Sequence, residues 1–196
     1  LEHSPAMCEE LLHWIEHQSP AQQENLWLIQ GDMTNPSVFK TEGYIHGKTE
    51  TIPTRFGCII LGLRTLHLLS EKERYDVFML AAQHLHTDGA LIIHHSNLSE
   101  VPVQPTWTLT VEHATQDGML EVEECFFYHT SSEQYHLRHR IYQSNTTGQH
   151  IASWRVAHNL HPIDIVDLQQ QLAEAGFASA ERRQLYGTES LIVAKV

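Results

Sequence analysis

The chain has 196 residues, 41% of them hydrophobic, a mean hydropathy of −0.31 and a formal charge of −12. This is enough apolar content for one domain with a full core, and no apolar run approaches the roughly 20 residues that a membrane span requires. The acidic balance argues against a nucleic-acid partner, since affinity for a polyanion comes from Lys and Arg neutralising phosphates, and the 12 basic side chains are spread thinly.

Ser4 is placed to cap a helix whose first position is Pro5, a favoured pairing. Met7, Leu11, Leu12 and Ile15 then form one apolar stripe. "NLWLIQ", ending at "GDM", reads as a short buried strand, and residues 34–54 as polar and irregular. "FGCIILGL" predicts a second buried strand. "SEKERYDVFMLAAQHL" follows as a helix, with Tyr75, Phe78, Met79 and Ala82 at helical spacing. "TDG" predicts a break, and "ALIIHH" a third buried strand. The order helix, strand, helix, strand argues for a parallel sheet covered on both faces.

From residue 97 to residue 161 the period changes to two. "TWTLTVEH", "MLEVEECFFYH", "YHLRHRIYQ" and "IASWRVAHNL" alternate apolar and polar residues, and "TQDG", "TSSEQ" and "NTTGQ" join them as turns. This predicts an antiparallel β meander inserted into the parallel fold. Asp164 then caps a last helix, "IVDLQQQLAEAGF", with Gly176 just past its end and Phe177 placed to pack back. "ERRQLYG" and "SLIVAKV" close the chain as a hairpin. The expectation is a single domain, residues 1–196, with residues 97–161 as an inserted cap.

Three cysteines, Cys8, Cys58 and Cys125, are too few and too scattered for a disulfide framework or a zinc site. With no basic stretch leading into an apolar one among the first residues, the expected location is cytoplasmic. The 16 histidines lack metal-ligand spacing, and in a strand "HLRHR" sends His136 and His139 to opposite faces. No dedicated metal site is expected.

In order and spacing, "LEHSPAM", "QGDM", "FGCIILGLRTLHLL", "HLHTDGALII" and "LQQQLAEAGF…SLIVAKV" resemble successive blocks of the class I S-adenosylmethionine-dependent methyltransferases. The resemblance runs from the first residue to the last, interrupted by the meander. It implies a Rossmann-like, mostly parallel sheet with a closing antiparallel hairpin, S-adenosylmethionine as cofactor, and methyl transfer to an N or O atom of a small molecule. It also implies that Glu2 accepts from the ribose hydroxyls, a role that suits an acceptor-only carboxylate. The family's first strand and Gly-rich turn are expected ahead of Leu1. Many relatives carry Asp where this chain has Gly57.

Residue by residue, the resemblance assigns Glu2, His3, Asp32, Met33, Leu61 and Gly62 to the cofactor. Asp32 and Met33 would meet the adenine, and Leu61 and Gly62 the methionine part. "GDMTNP" is also a good turn sequence, which gives Asp32 an ordinary structural reading. Arg64 and His67, beyond the strand end, are the catalytic candidates: Arg64 as a planar fork for a carboxylate, His67 as proton acceptor. "TLHLL" reads equally as the start of a helix burying its leucines. His94, His95 and Trp107 are the substrate-side candidates. The meander's aromatics, Trp107, Phe126, Phe127, Tyr128, Tyr135, Tyr142 and Trp154, suit a pocket wall, a core or a homodimer contact through the inserted sheet. Two other readings are a methyltransferase-fold scaffold that holds no cofactor and a nicotinamide-binding dehydrogenase. The latter leaves "GDM" and the closing hairpin unexplained.

Overall fold

The computed structural model describes residues 1–23, 28–37, 43–45, 48–50 and 55–196, apart from the side chains of 43–45 and 48–50. Helix α1 (Pro5–Glu16) starts at its predicted cap, where Ser4 Oγ accepts from the Met7 N–H at 3.4 Å. Its apolar stripe is only partly covered. Cys8 is its buried residue, whereas Met7 and Trp14 are 50% and 54% exposed. One helical turn follows, α2 (Pro20–Gln23).

Of "NLWLIQ", residues 24–27 lie outside the described residues. Gln30 forms a single parallel bridge with Glu2, flanked by hydrogen bonds from Glu2 N–H to Ile29 O and from Gly31 N–H to Glu2 O, both 2.9 Å. The stretch 34–54, expected to be irregular and only partly described, contains a short antiparallel hairpin, β1 (Gly43–Ile45) and β2 (Lys48–Glu50).

The central sheet has the order β3-β4-β10-β9, built from β3 (Phe56–Leu61), β4 (Leu85–Ser96), β9 (Ser179–Tyr186) and β10 (Glu189–Lys195). β3 and β4 are parallel, and β10 is antiparallel to both of its neighbours. The described sheet is therefore mixed, where the sequence predicted a mostly parallel one. The closing hairpin supplies half of its strands, and among the described residues β3 is paired along one edge only.

A second difference lies at "TDG". Helix α3 (Glu71–His84) runs straight into β4, with Leu85 already extended and no loop between them. The extra residues are taken up by a register shift, since Phe56 pairs with Leu85 but Cys58 pairs with Ala90. Gly89 allows this, because a Cβ there would lie 2.9 Å from the His86 carbonyl oxygen and 3.1 Å from that of Phe56. A glycine read as a chain break is instead a point of close backbone approach.

α3 opens with a capping box, Ser70 and Glu73 each bonding the other's backbone N–H. It buries Val77, Phe78, Leu80 and Ala81. Of the predicted stripe Phe78 is fully buried, while Tyr75, Met79 and Ala82 pack at the core's margin. α4 (Ile165–Glu174), capped by Asp164 through the Val166 N–H at 2.7 Å, adds Leu168 and Leu172. Together they cover the face of the sheet carrying Leu91, Ile93, Ile192 and Ala194. By alternation the opposite face carries Ile60, Ile92, His94, Leu191 and Val193, and Ile60 is 68% exposed there.

β5 (Gln104–Thr115), β6 (Gly118–His129), β7 (Gln134–Asn145) and β8 (His150–Leu160) form the predicted meander as a separate four-stranded antiparallel sheet in chain order. Gly118, at φ +146, is required at its first turn, where a Cβ would lie 1.9 Å from the Ser144 carbonyl oxygen. The near end of the sheet packs Phe126, Tyr135 and Leu160 with Leu98 in a second small core. At the far end Val111 and Trp154 stay 48% and 47% exposed.

Candidate active site

In open α/β sheets ligands lie beyond the carboxyl ends of the parallel strands. β3 ends there at Leu61, next to a cleft of about 490 Å³ whose walls include Leu1, Ile29, Met33, Ile60, Leu61 and Gly62. It runs along the unpaired edge of β3 from Phe56 upward, and Leu63 and Thr65 complete its rim. The walls are apolar because side chains such as Leu1, Ile29, Met33, Ile60 and Leu61 form them, and among the described residues this edge of β3 has no neighbouring strand.

The chain leaves β3 through two consecutive left-handed residues, Leu63 at φ 50 and Arg64 at φ 62. This conformation is costly for side chains with a Cβ, so the surrounding bonds must hold it. The Thr65 hydroxyl donates to the Gly62 carbonyl at 2.6 Å, and the His67 N–H to that of Arg64 at 2.9 Å. Arg64 then turns its fork inward, giving Nε to Ser96 Oγ at 3.0 Å and an Nη to Glu189 at 2.9 Å. Leu63 is left 90% exposed at the rim.

Glu189, the first residue of β10, is the hub of this arrangement. It is buried, its carboxylate accepts from Arg64 and from the fully buried Ser96 hydroxyl, and His94 Nε2 lies within ion-pair distance of it at 2.9 Å. Burial alone would raise its pKa, but the Ser96 and Arg64 hydrogen bonds outweigh that and hold it below the ordinary carboxylate value.

On the other face of β4, His67 and His95 are buried with ring centroids 5.5 Å apart. His67 Nδ1–H donates to the His161 carbonyl at 2.9 Å, and Nε2 accepts from the Ser96 N–H at 3.3 Å. Both ring nitrogens are thus occupied and the neutral form is fixed. Burial depresses its pKa to about 4, against the opposing pull of the His161 carbonyl. His95 Nε2 donates to the Ile163 carbonyl at 3.0 Å, and burial likewise lowers its pKa.

The predicted residues therefore fall into two groups. Met33, Leu61 and Gly62 line the cleft, and Glu2, His3 and Asp32 stand beside its Leu1 and Met33 walls in sequence. Glu2 Oε1 accepts from the Ser4 N–H at 2.8 Å, and His3 is exposed. Asp32 Oδ1 accepts from the Thr34 N–H and hydroxyl, both at 2.8 Å, which lowers its pKa. Among the described residues each of these two carboxylates keeps one oxygen without a partner. Arg64, His67, His94 and His95 form the second group, around β4. Trp107 joins neither. It lies on β5 with the Arg140 guanidinium 3.8 Å from its ring centroid and does not line the cleft.

Sequence reasoning missed Glu189 and Leu63. A signal for the first was present, because "ES" puts a carboxylate at the head of the otherwise apolar run "LIVA", and the closing hairpin pairs it with Ser96. Nothing in the sequence marked Leu63 as left-handed.

Neither a family model nor a curated protein matches the chain. Solved structures do. The chain superposes on an S-adenosylmethionine-dependent methyltransferase from Clostridium acetobutylicum with a TM-score of 0.67 at 10% identity, covering 98% of this chain and 72% of that one. A sugar N-methyltransferase from Streptoalloteichus gives 0.62 at 15% identity, with 96% and 75% covered. An S-adenosylmethionine-bound amino pentose methyltransferase from Micromonospora echinaspora gives 0.62 at 12% identity, with 85% and 64% covered. At these identities the likeness establishes the fold: the chain has the fold of S-adenosylmethionine-dependent methyltransferases.

Proposed function

We propose that the protein is an S-adenosylmethionine-dependent methyltransferase acting on an N or O atom of a small molecule. The observation that carries the reading is the apolar cleft at the carboxyl end of β3, flanked by Glu2 and Asp32, within a methyltransferase fold. The residues fit the cofactor. Apolar walls suit an adenine ring and a methionine stem, the cleft has an ordinary ligand-site volume, and each flanking carboxylate has an oxygen to spare for hydroxyl or amino donors. Bound there, S-adenosylmethionine would supply a methyl group made electrophilic by its sulfonium.

The chain's own contribution is placement. Leu61 and Gly62 would line the methionine end, Met33 the adenine, and Glu2 would accept from the ribose. The left-handed turn at Leu63 fixes the rim, and the apolar walls exclude water, so orientation supplies most of the acceleration. His67, sealed on both nitrogens, holds the turn to His161 and is assigned to positioning. The free thiols of Cys8, Cys58 and Cys125 suit a cytoplasmic protein. The far face of the meander, where Val111 and Trp154 are exposed, is proposed to pack against a second copy, because exposed apolar side chains can match themselves across a two-fold axis.

Calorimetry on the full-length protein tests the reading. S-adenosylmethionine should bind and the dinucleotide NAD should not. Glu2→Ala should raise the dissociation constant at least tenfold while moving the melting temperature by no more than a few degrees, as loss of a charged hydrogen-bond acceptor implies. Unchanged affinity in Glu2→Ala would remove that residue from the site.

A further inference from the structure

Three polar clusters outside the cleft are candidates for further chemistry. The pocket between α3 and α4 holds the buried Arg74 and Gln171, but its carboxylates do not converge on one point. The His129 and His136 pair on the meander is stacked and solvent-facing. The third, around Glu189, leads further.

We propose that His94 is the proton acceptor for a protonated amine substrate and that Glu189 is the residue that positions it. The inference rests on the methyl-transfer reading above and names a base and an acceptor class within it. His94 stands near the carboxyl end of β4, the end of the parallel strands beyond which open α/β sheets bind their ligands. Its Nε2 makes an ion-pair contact with Glu189 Oε2 at 2.9 Å, and a ring nitrogen this close to a carboxylate oxygen is the one that carries the hydrogen. Nδ1 is then left with its lone pair, and among the described residues no group bonds to it. The ring is also reachable, its side chain being 20% exposed, whereas His67 and His95 are buried.

Glu189 cannot turn away. Arg64 holds one of its oxygens and Ser96 the other, and the pairing of Glu189 with Ser96 and Leu191 with His94 fixes the strands beneath them. A buried carboxylate behind an imidazole both orients the ring and stabilises the cation it becomes. The other charged groups near this face are Arg64, already bonded to Glu189, and Arg183 on β9, which lies opposite Leu191 and pairs with Glu181 at 3.2 Å. Neither competes for Nδ1.

The step itself is a proton transfer. The ammonium of the acceptor gives its proton to His94 Nδ1, which leaves a neutral amine with a free lone pair. The resulting imidazolium keeps its Nε2–H on Glu189 and returns the added proton to water through its exposed edge. An amine needs such a group because its protonated form has no lone pair to offer.

The test needs no identified acceptor. Sinefungin carries an amine where the transferable methyl group of the cofactor would lie, on a carbon that replaces the sulfur, and S-adenosylhomocysteine has no such amine. Calorimetry on the full-length protein should show sinefungin binding more tightly than S-adenosylhomocysteine. That preference should fall about tenfold in His94→Ala and in Glu189→Gln and recover largely in Glu189→Asp, with S-adenosylhomocysteine affinity unchanged throughout. An unchanged preference in His94→Ala overturns the proposal, as does a loss in Glu189→Gln that Glu189→Asp does not restore. If neither compound binds the unmodified protein, the methyltransferase reading fails instead. Glu189→Asp and Glu189→Gln are used because Glu189→Ala removes a buried hub and threatens the fold.

Discussion

The two flanks of β3 are opposites. Toward β4 Arg64 and Ser96 both bond Glu189, and His67, His95, Ser96 and Ser190 are buried with hydrogen-bond partners. Away from β4 the same strand offers an edge unpaired among the described residues, an exposed Cys58 and a two-thirds exposed Ile60 to an apolar cleft. A finished interior has its hydrogen bonds made and its volume filled. An edge left in this state is a surface prepared for something else. The difference separates what this chain stabilises by itself from what it holds ready.

The largest expected break in that contrast is at Glu189. Glu189→Ala removes the acceptor shared by Arg64, His94 and Ser96, and loss of one partner from a buried ion pair costs about 3–5 kcal/mol. Chemical denaturation should register a loss of that order. Ile60→Ser on the open flank should cost under about 1 kcal/mol, because that side chain is already two-thirds exposed. Comparing the two substitutions therefore reports on both flanks.

The next effect is a dependence on pH carried by His67 and Glu189 on the closed flank. His67 titrates near 4 in the folded chain, against an ordinary value of 6.5. Between those values the unfolded chain binds the proton and the folded chain does not, so stability falls as pH drops from 6.5 toward 4. The shift corresponds to a loss on the order of 3 kcal/mol. Glu189 acts in the same sense, because its depressed pKa contributes stability that disappears as pH falls through its folded value. His67→Gln, which keeps a donor and an acceptor, should flatten the slope in denaturation measured across this window.

The smallest effect separates the flanks by reactivity. Cys58 is exposed and Cys8 and Cys125 are buried, so a thiol reagent should modify one cysteine rapidly and two slowly. Trp154→Glu should lower the sedimentation coefficient of any dimer formed through the far face of the meander and leave the thiol pattern unchanged.

Much of the fold was legible because local chemistry dictated it. Ser4 with Pro5, the helical spacing of Tyr75, Phe78, Met79 and Ala82, Asp164 and the period-two runs each carry their own physical signal, and all formed the predicted elements. The mixed sheet was not legible in proportion. "SLIVAKV" reads as a strand, but its antiparallel seat beside β4 depends on partners far away in the chain. The site divided in the same way. A hydrophobic lining such as Leu61 follows from its strand, whereas a hydrogen-bond hub such as Glu189 depends on three residues that sequence spacing keeps apart. His67 shows the reverse case, a catalytic residue type whose surroundings use up both nitrogens. Which flank of the strand such a histidine joins is decided by packing, and no local pattern reports it.

The central claim is that the open flank of β3 is the receptive one, and backbone hydrogen exchange with and without S-adenosylmethionine tests it most directly. In the full-length protein, amides from Phe56 to Thr65 should slow when the cofactor is added, while those of His94 to Ser96 and Glu189 to Lys195, already protected, should change little. Protection that falls on the β4 and β10 flank instead, or saturating cofactor that leaves residues 56–65 exchanging as before, would contradict the account.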